Sequence, residues 1–156
     1  EYRLPLVFHS DPGLCYDEVG LPRLESMLQR YPRCTFCGHG PGFWAAISGD
    51  DDRSGGYPKG PVAPDGVVDR LLAEYDNLYA IFDAGSGHNA LTRDPDFTLG
   101  FLERHHEKLL FGTDYLRAFQ HLPQVDWLAQ VDIPAQWRRQ MACGNAQRLL
   151  DFGDQR

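Results

Sequence analysis

Cys34-Thr35-Phe36-Cys37-Gly38-His39-Gly40-Pro41-Gly42 is a short apolar run that ends on a histidine held between glycines. Two further runs repeat the pattern. Leu4-Pro5-Leu6-Val7-Phe8 leads into His9, and Leu109-Leu110-Phe111-Gly112-Thr113 leads into Asp114. Runs of this length, apolar on both alternating faces, suit strands of a parallel sheet buried on both sides. In barrels and open sheets of that kind, ligands and catalytic groups collect at the carboxyl ends of the strands. Two imidazoles and a carboxylate gathered there suit metal-assisted hydrolysis or lyase chemistry.

Working outward, strand and helix signals alternate four times. Strand one is Leu4–Ser10, and its helix runs from Leu21 to Tyr31, with Pro22 in the first turn and Tyr31-Pro32 as the stop. Strand two is Cys34–His39, followed by a short helical turn over Phe43–Ile47. A long irregular segment, Ser48–Asp65, precedes a helix over Gly66–Tyr75 and strand three, Leu78–Phe82. Asp83-Ala84-Gly85-Ser86-Gly87-His88-Asn89 reads as a loop, and Asp94-Pro95 as a cap and first turn of the next helix. Strand four is Leu109–Gly112, and helices at Val125–Gln130, Pro134–Cys143 and Asn145–Leu150 close the chain, with Gly144 ending one and Asn145 capping the next. Four βα units predict an α/β fold with a parallel sheet. Either a small doubly wound domain or half of an eight-stranded barrel satisfies the pattern.

At 156 residues and 42% hydrophobic content, the chain reads as one α/β domain over residues 1–156. The net charge of −7 argues against nucleic acid or an anionic membrane as the main partner. No apolar stretch approaches the ~20 residues of a membrane span, and no signal peptide is visible. A start at Glu1, almost directly in a strand, suggests a truncated or processed chain, or a fragment of a longer one. Cys15, Cys34, Cys37 and Cys143 have no framework spacing, which predicts a reducing compartment, the cytoplasm. Within a strand, Cys34 and Cys37 point to opposite faces, so they read as structural thiols rather than a metal pair.

His9 precedes the turn sequence Ser10-Asp11-Pro12-Gly13 and has the donor chemistry of a metal ligand. His39 is flanked by glycines that let backbone or substrate approach its ring, and it titrates in the range useful for moving protons. Asp114 can bind a metal or relay a proton. His88, Asn89 and Arg93 follow strand three and are candidates for substrate contact. Asp50-Asp51-Asp52 lacks the spacing of a calcium loop and reads as solvated. Ser48–Asp65 suits a lid or substrate-selecting loop, or filler. Trp44, Trp127 and Trp137 read as packing residues.

Val7-Phe8-His9-Ser10, Gly38-His39-Gly40-Pro41-Gly42-Phe43-Trp44, Phe111-Gly112-Thr113-Asp114 and the ending Gly144-Asn145-Ala146-Gln147-Arg148-Leu149-Leu150, in this order, resemble the later half of an amidohydrolase-related metal-dependent hydrolase. The resemblance covers nearly the whole chain. It implies strands five to eight of a (β/α)8 TIM barrel, with His9 and Asp114 as ligands of one divalent metal, zinc or manganese. It implies His39 and Asp114 as the groups handling protons. The chemistry implied is hydrolysis of a small amide, ester or lactone by metal-activated water, with metal-dependent non-oxidative decarboxylation as the alternative. The family's His-x-His pair is absent from this sequence. His105-His106 does not replace it, because helix neighbours diverge by ~100°; that pair reads as a partly exposed helix end. The chain is therefore expected to need a missing barrel half or a second copy. A non-catalytic half-barrel used for association is the rival reading.

Overall fold

The computed structural model describes residues 4–11 and 13–150. Pro12, part of the turn after strand one, lies outside them. The strands are β1 (Leu6–His9), β2 (Phe36–His39), β3 (Leu78–Phe82) and β4 (Leu109–Phe111). They form one parallel sheet in the order β1-β2-β3-β4. A doubly wound sheet reverses its order at a switch point, whereas a barrel adds each strand beside the last. The unbroken order selects the partial barrel.

Helices α1 (Pro22–Arg30), α2 (Pro41–Ala45) and α3 (Val67–Glu74) follow the sequence closely, although α2 starts earlier, directly at the proline. Two carboxylates account for helix starts. Asp17 accepts the Arg23 and Leu24 amides at 3.1 and 2.9 Å ahead of α1. Asp94 accepts the Phe97 amide at 3.2 Å and caps α5 (Pro95–His105). Helix α4 (Ala84–Thr92) occupies the stretch that reads as a loop. Its Gly-Ser-Gly is helical because Gly87 packs on β3, where a Cβ would lie 2.7 Å from the Phe82 Cα. Close backbone approach, rather than a turn, uses that glycine.

After β4 come α6 (Pro123–Gln130), α7 (Ala135–Arg139), a π-helical turn (Gln140–Gly144) and α8 (Asn145–Leu150). Gly144 and Asn145 mark the boundary between the π-helical turn and α8, but Gly144 does not break the helical path and Asn145 does not cap it; Asn145 is itself in helical geometry. Asn145 is fully buried, and its amide donates to the His106 and Leu109 carbonyls at 2.7 Å each. It ties the last helix to the start of β4.

The core joins sheet and helices through Phe36, Phe82, Phe43, Trp44, Leu71, Leu72, Phe101 and Leu102. Each such side chain contributes about 1.5–3 kcal/mol through burial. The three tryptophans are packing residues: Trp44 is buried, Trp127 meets Phe82 edge-on, and Trp137 stacks on His106. Cys37 is buried and Cys34 half-buried; all four cysteines are unpaired. Burial, with Cys34 adding to it, pushes the Cys37 thiol up to about 11, which fits an inert structural role.

The expectation of strands buried on both faces fails at β1. Leu6 is 46% and Val7 58% exposed, and among the described residues β1 pairs with β2 alone; β4, at the other edge, keeps Leu109 and Leu110 buried. His105 is the last residue of α5, as expected of a helix end, but it is not partly exposed: it is 3% exposed and bonded to Asp69. The solvated reading of the aspartate run fails at Asp51, whose side chain is buried beside Arg53. No helix among the described residues is long and apolar enough to cross a membrane.

Candidate functional site

The parallel register places His9 directly beside His39 at the carboxyl ends of β1 and β2. Their rings meet edge to face with centroids 5.0 Å apart. Gly40 makes that approach feasible. Its φ is +94°, and a Cβ there would come within 2.8 Å of the His9 Nδ1. The other ring nitrogen of His9, Nε2, lies 2.7 Å from the Asp11 carboxylate. That bond, with the Gly13 and Leu14 amides, holds the Asp11 carboxyl below the usual carboxylate range.

His39 Nδ1 lies 3.3 Å from Asp83 Oδ1 and 3.2 Å from Asp83 Oδ2, so the ring nitrogen addresses both oxygens of one carboxylate. Asp83 directly follows β3 and is buried. Its hydrogen bond raises the His39 pKa. Burial of the ring opposes this, and the charges of Asp83 and Asp114 add to the rise. The net effect favours the imidazolium. Asp114 follows β4 in left-handed backbone geometry, φ 48°, and its carbonyl accepts from Gln120 Nε2 at 3.0 Å.

The four strands therefore end on His9, His39, Asp83 and, two residues beyond Gly112, Asp114. Sequence reasoning named three of these and passed over Asp83, although its position after strand three repeats the signal carried by the others.

The substrate-contact candidates lie on α4. Asn89 Nδ2 donates to the Pro58 carbonyl at 3.1 Å, and Arg93 Nη1 donates to the Gly60 and Pro61 carbonyls at 3.3 Å each. Both side chains thus hold the 48–65 segment against the helix. Asp94 accepts the Val62 amide and Ser48 the Ala63 amide, each at 2.8 Å, so this segment is pinned at several points. His88 is half-buried; burial lowers its pKa, and the neighbouring charge of His121 adds to this.

The resemblance implies a divalent metal at these strand ends. Imidazole and carboxylate are suitable donor types. Their number is not sufficient: among the described residues, no three His, Cys, Asp or Glu side chains converge so as to hold an ion. The Nε2 of His9 is also engaged by Asp11. These residues by themselves do not make a metal site.

A family model described as Amidohydrolase matches residues 1–152. No curated protein matches the chain. Similar solved structures include a dihydroxybenzoic acid decarboxylase from a Polaromonas species with bound manganese and the inhibitor 2-nitroresorcinol, at 21% identity and TM-score 0.45. A 2,6-dihydroxybenzoate decarboxylase from Rhizobium is 19% identical with TM-score 0.43. A 5-carboxyvanillate decarboxylase from Sphingomonas paucimobilis is 21% identical with TM-score 0.46. Each alignment covers 80% of this chain but only 36% or 37% of the other. The chain thus spans little more than a third of those proteins' length. The match over 152 of its residues carries the assignment: the chain is a member of the amidohydrolase family.

Proposed function

We propose that this chain forms part of the catalytic face of a metal-dependent hydrolase acting on a small amide, ester or lactone. The observation that carries the reading is the His39–Asp83 pair, 3.2 Å apart and faced by His9 at the ends of adjacent parallel strands. His9 and Asp114 are the ligands this chain would offer to one divalent ion, zinc or manganese, with further donors supplied from beyond the described residues. Such an ion supplies Lewis acidity toward substrate and water. Partnership with the other barrel half, or with a second copy, is supported by the uncovered β1 edge.

The proton chemistry falls to His39. Asp83 favours its protonated form, which suits the ring to act as a general acid that protonates a leaving group. Asp83 holds the ring by its Nδ1 and leaves Nε2 for the substrate. Asp114 strengthens the same protonation state and would take up the proton that the attacking water loses, while His39 gives its own to the leaving group. His88 is the α4 residue left to touch substrate, while Asn89 and Arg93 act through the loop they hold.

A second reading, metal-dependent non-oxidative decarboxylation, is favoured by the same protonated His39, because the carbon vacated by carbon dioxide must take a proton. The test is an assay of the complete protein with added zinc or manganese. One arm follows acid release from amides, esters and lactones; the other follows carbon dioxide release from aromatic carboxylates. We expect turnover that disappears in Asp114→Asn with the circular dichroism spectrum retained. Unchanged turnover in that variant defeats the assignment, and the productive arm decides between hydrolase and decarboxylase. No activity in either arm favours a non-catalytic association module.

A further inference from the structure

We propose that Arg53 is a positioning residue: its buried guanidinium sets the spacing between His9 and His39 by bracing the loop that follows β1 against the first turn of α2, directly after β2. This rests on reading those histidines as site residues. Arg53 belongs to the 48–65 segment, yet its side chain and that of Asp51 are each 8% exposed, with Nη1 3.4 Å from the Asp51 Oδ2. Asp51 also accepts the Arg53 amide at 3.0 Å, which fixes Arg53 in left-handed geometry at φ 65°. From there the guanidinium reaches two different segments. Nη1 donates to the Gly42 carbonyl, in the first turn of α2. Nη2 donates to the Glu18 carbonyl at 3.3 Å, in the loop after β1.

The link from Arg53 to the histidines is a short series of backbone bonds. The Gly42 amide donates to the Ser10 carbonyl at 2.7 Å, and the Ser10 amide donates to the His39 carbonyl at 3.1 Å. Ser10 is the residue after His9. Little slack exists here: a Cβ at Gly42 would come within 2.9 Å of the Ser10 oxygen. A displacement of Gly42 is therefore transmitted to Ser10 and on to the His9 ring. Spanning two carbonyls on separate segments needs the rigid fork of a guanidinium, and a lysine ammonium on a flexible stem does not reproduce it.

The experiment is proton NMR on the 156-residue chain, comparing Arg53→Lys and the charge-neutral double variant Asp51→Asn/Arg53→Met with the parent. The readout is the nuclear Overhauser cross-peak between the ring protons of His9 and His39. The reference is the cross-peak between His106 and Trp137, whose rings stack at 4.4 Å away from this site. We expect the His9–His39 cross-peak to weaken several-fold in both variants while the reference holds. Retention of the His9–His39 cross-peak in both overturns the proposal. So does loss of both cross-peaks, because Arg53 would then support the whole fold rather than this spacing. Turnover is not read, so failure of the catalytic reading leaves the outcome separately visible.

Discussion

Of the histidine–aspartate pairs among the described residues, two have opposite surroundings. His105 meets Asp69 at 2.6 Å between α5 and α3, with its ring 3% exposed and packed against Phe101. Arg104 grips the same carboxylate at 2.6 Å. His39 meets Asp83 at the longer distance of 3.2 Å, at a strand end, with a second imidazole beside it and a second carboxylate within electrostatic reach. The first pair is packed into a helix interface and shares its carboxylate with an arginine. The second stands at the carboxyl end of the sheet beside another imidazole, where we propose the chemistry takes place. The same two side-chain types are thus set in two different surroundings, one that suits cohesion and one that suits the proposed reactivity.

The sharpest way to break this contrast is His39→Ala in the complete protein. Turnover should fall by roughly 10²–10⁴, the range for losing a general acid, with little change in the urea midpoint. His105→Ala should do the reverse. Removing a buried ring and a partner of Asp69 should cost about 2–4 kcal/mol in urea unfolding, without a local effect on chemistry. Equal stability losses in the two variants would dissolve the distinction.

Asp83→Asn sharpens it further. With the hydrogen bond weakened, the His39 titration midpoint, followed by NMR, should move down toward the ordinary histidine value. Because the folded pKa is raised, the pair stabilises most fully below the ordinary value of ~6.5 and loses that contribution as pH rises through the folded value. The stability penalty of Asp83→Asn should therefore be larger in mild acid than in alkali.

For Asp69 the sign is opposite. Burial raises its carboxyl pKa, but the hydrogen bonds from His105 and Arg104 outweigh that and hold it below the usual range. Its contribution is present above the ordinary value of ~3.9 and is lost as pH falls through the folded value. Asp69→Asn should flatten the acid limb of the unfolding curve. The smallest effect belongs to Arg104→Ala. Its side chain is 48% exposed, and an ion pair so open to water should cost no more than about 0.5 kcal/mol.

Much of the His39–Asp83 pair's location was legible in the sequence, and almost none of the His105–Asp69 pair's. A strand announces itself by composition, and the residue after it takes its place at the sheet's end with no further information. His9, His39 and Asp114 were found in that way, and Asp83 carried the same signal. His105 depends on Asp69, 36 positions away on another helix, and helical periodicity does not reveal which polar side chains meet across an interface. Helix α4 was missed for a related reason. Gly85-Ser86-Gly87 has the composition of a loop, and only contact with the Phe82 backbone makes glycine the better helical residue there. Asn145 read as a cap because capping is local chemistry, while its actual partners, His106 and Leu109, belong to another part of the chain.

The glycine at position 40 has an evolutionary consequence. His9 stands where it does because an atom is missing opposite it: any side chain there would displace its ring and also strain a backbone at φ +94°. No stepwise sequence of small substitutions passes through that position, since alanine already meets the obstacle. Loss of His9 alone would not release Gly40, because the Ser10 carbonyl oxygen also lies 2.8 Å from a Cβ there. The glycine is thus held by backbone as well as by the ring, and a descendant with a bulky residue at position 40 should differ both at position 9 and in the path of the chain at Ser10.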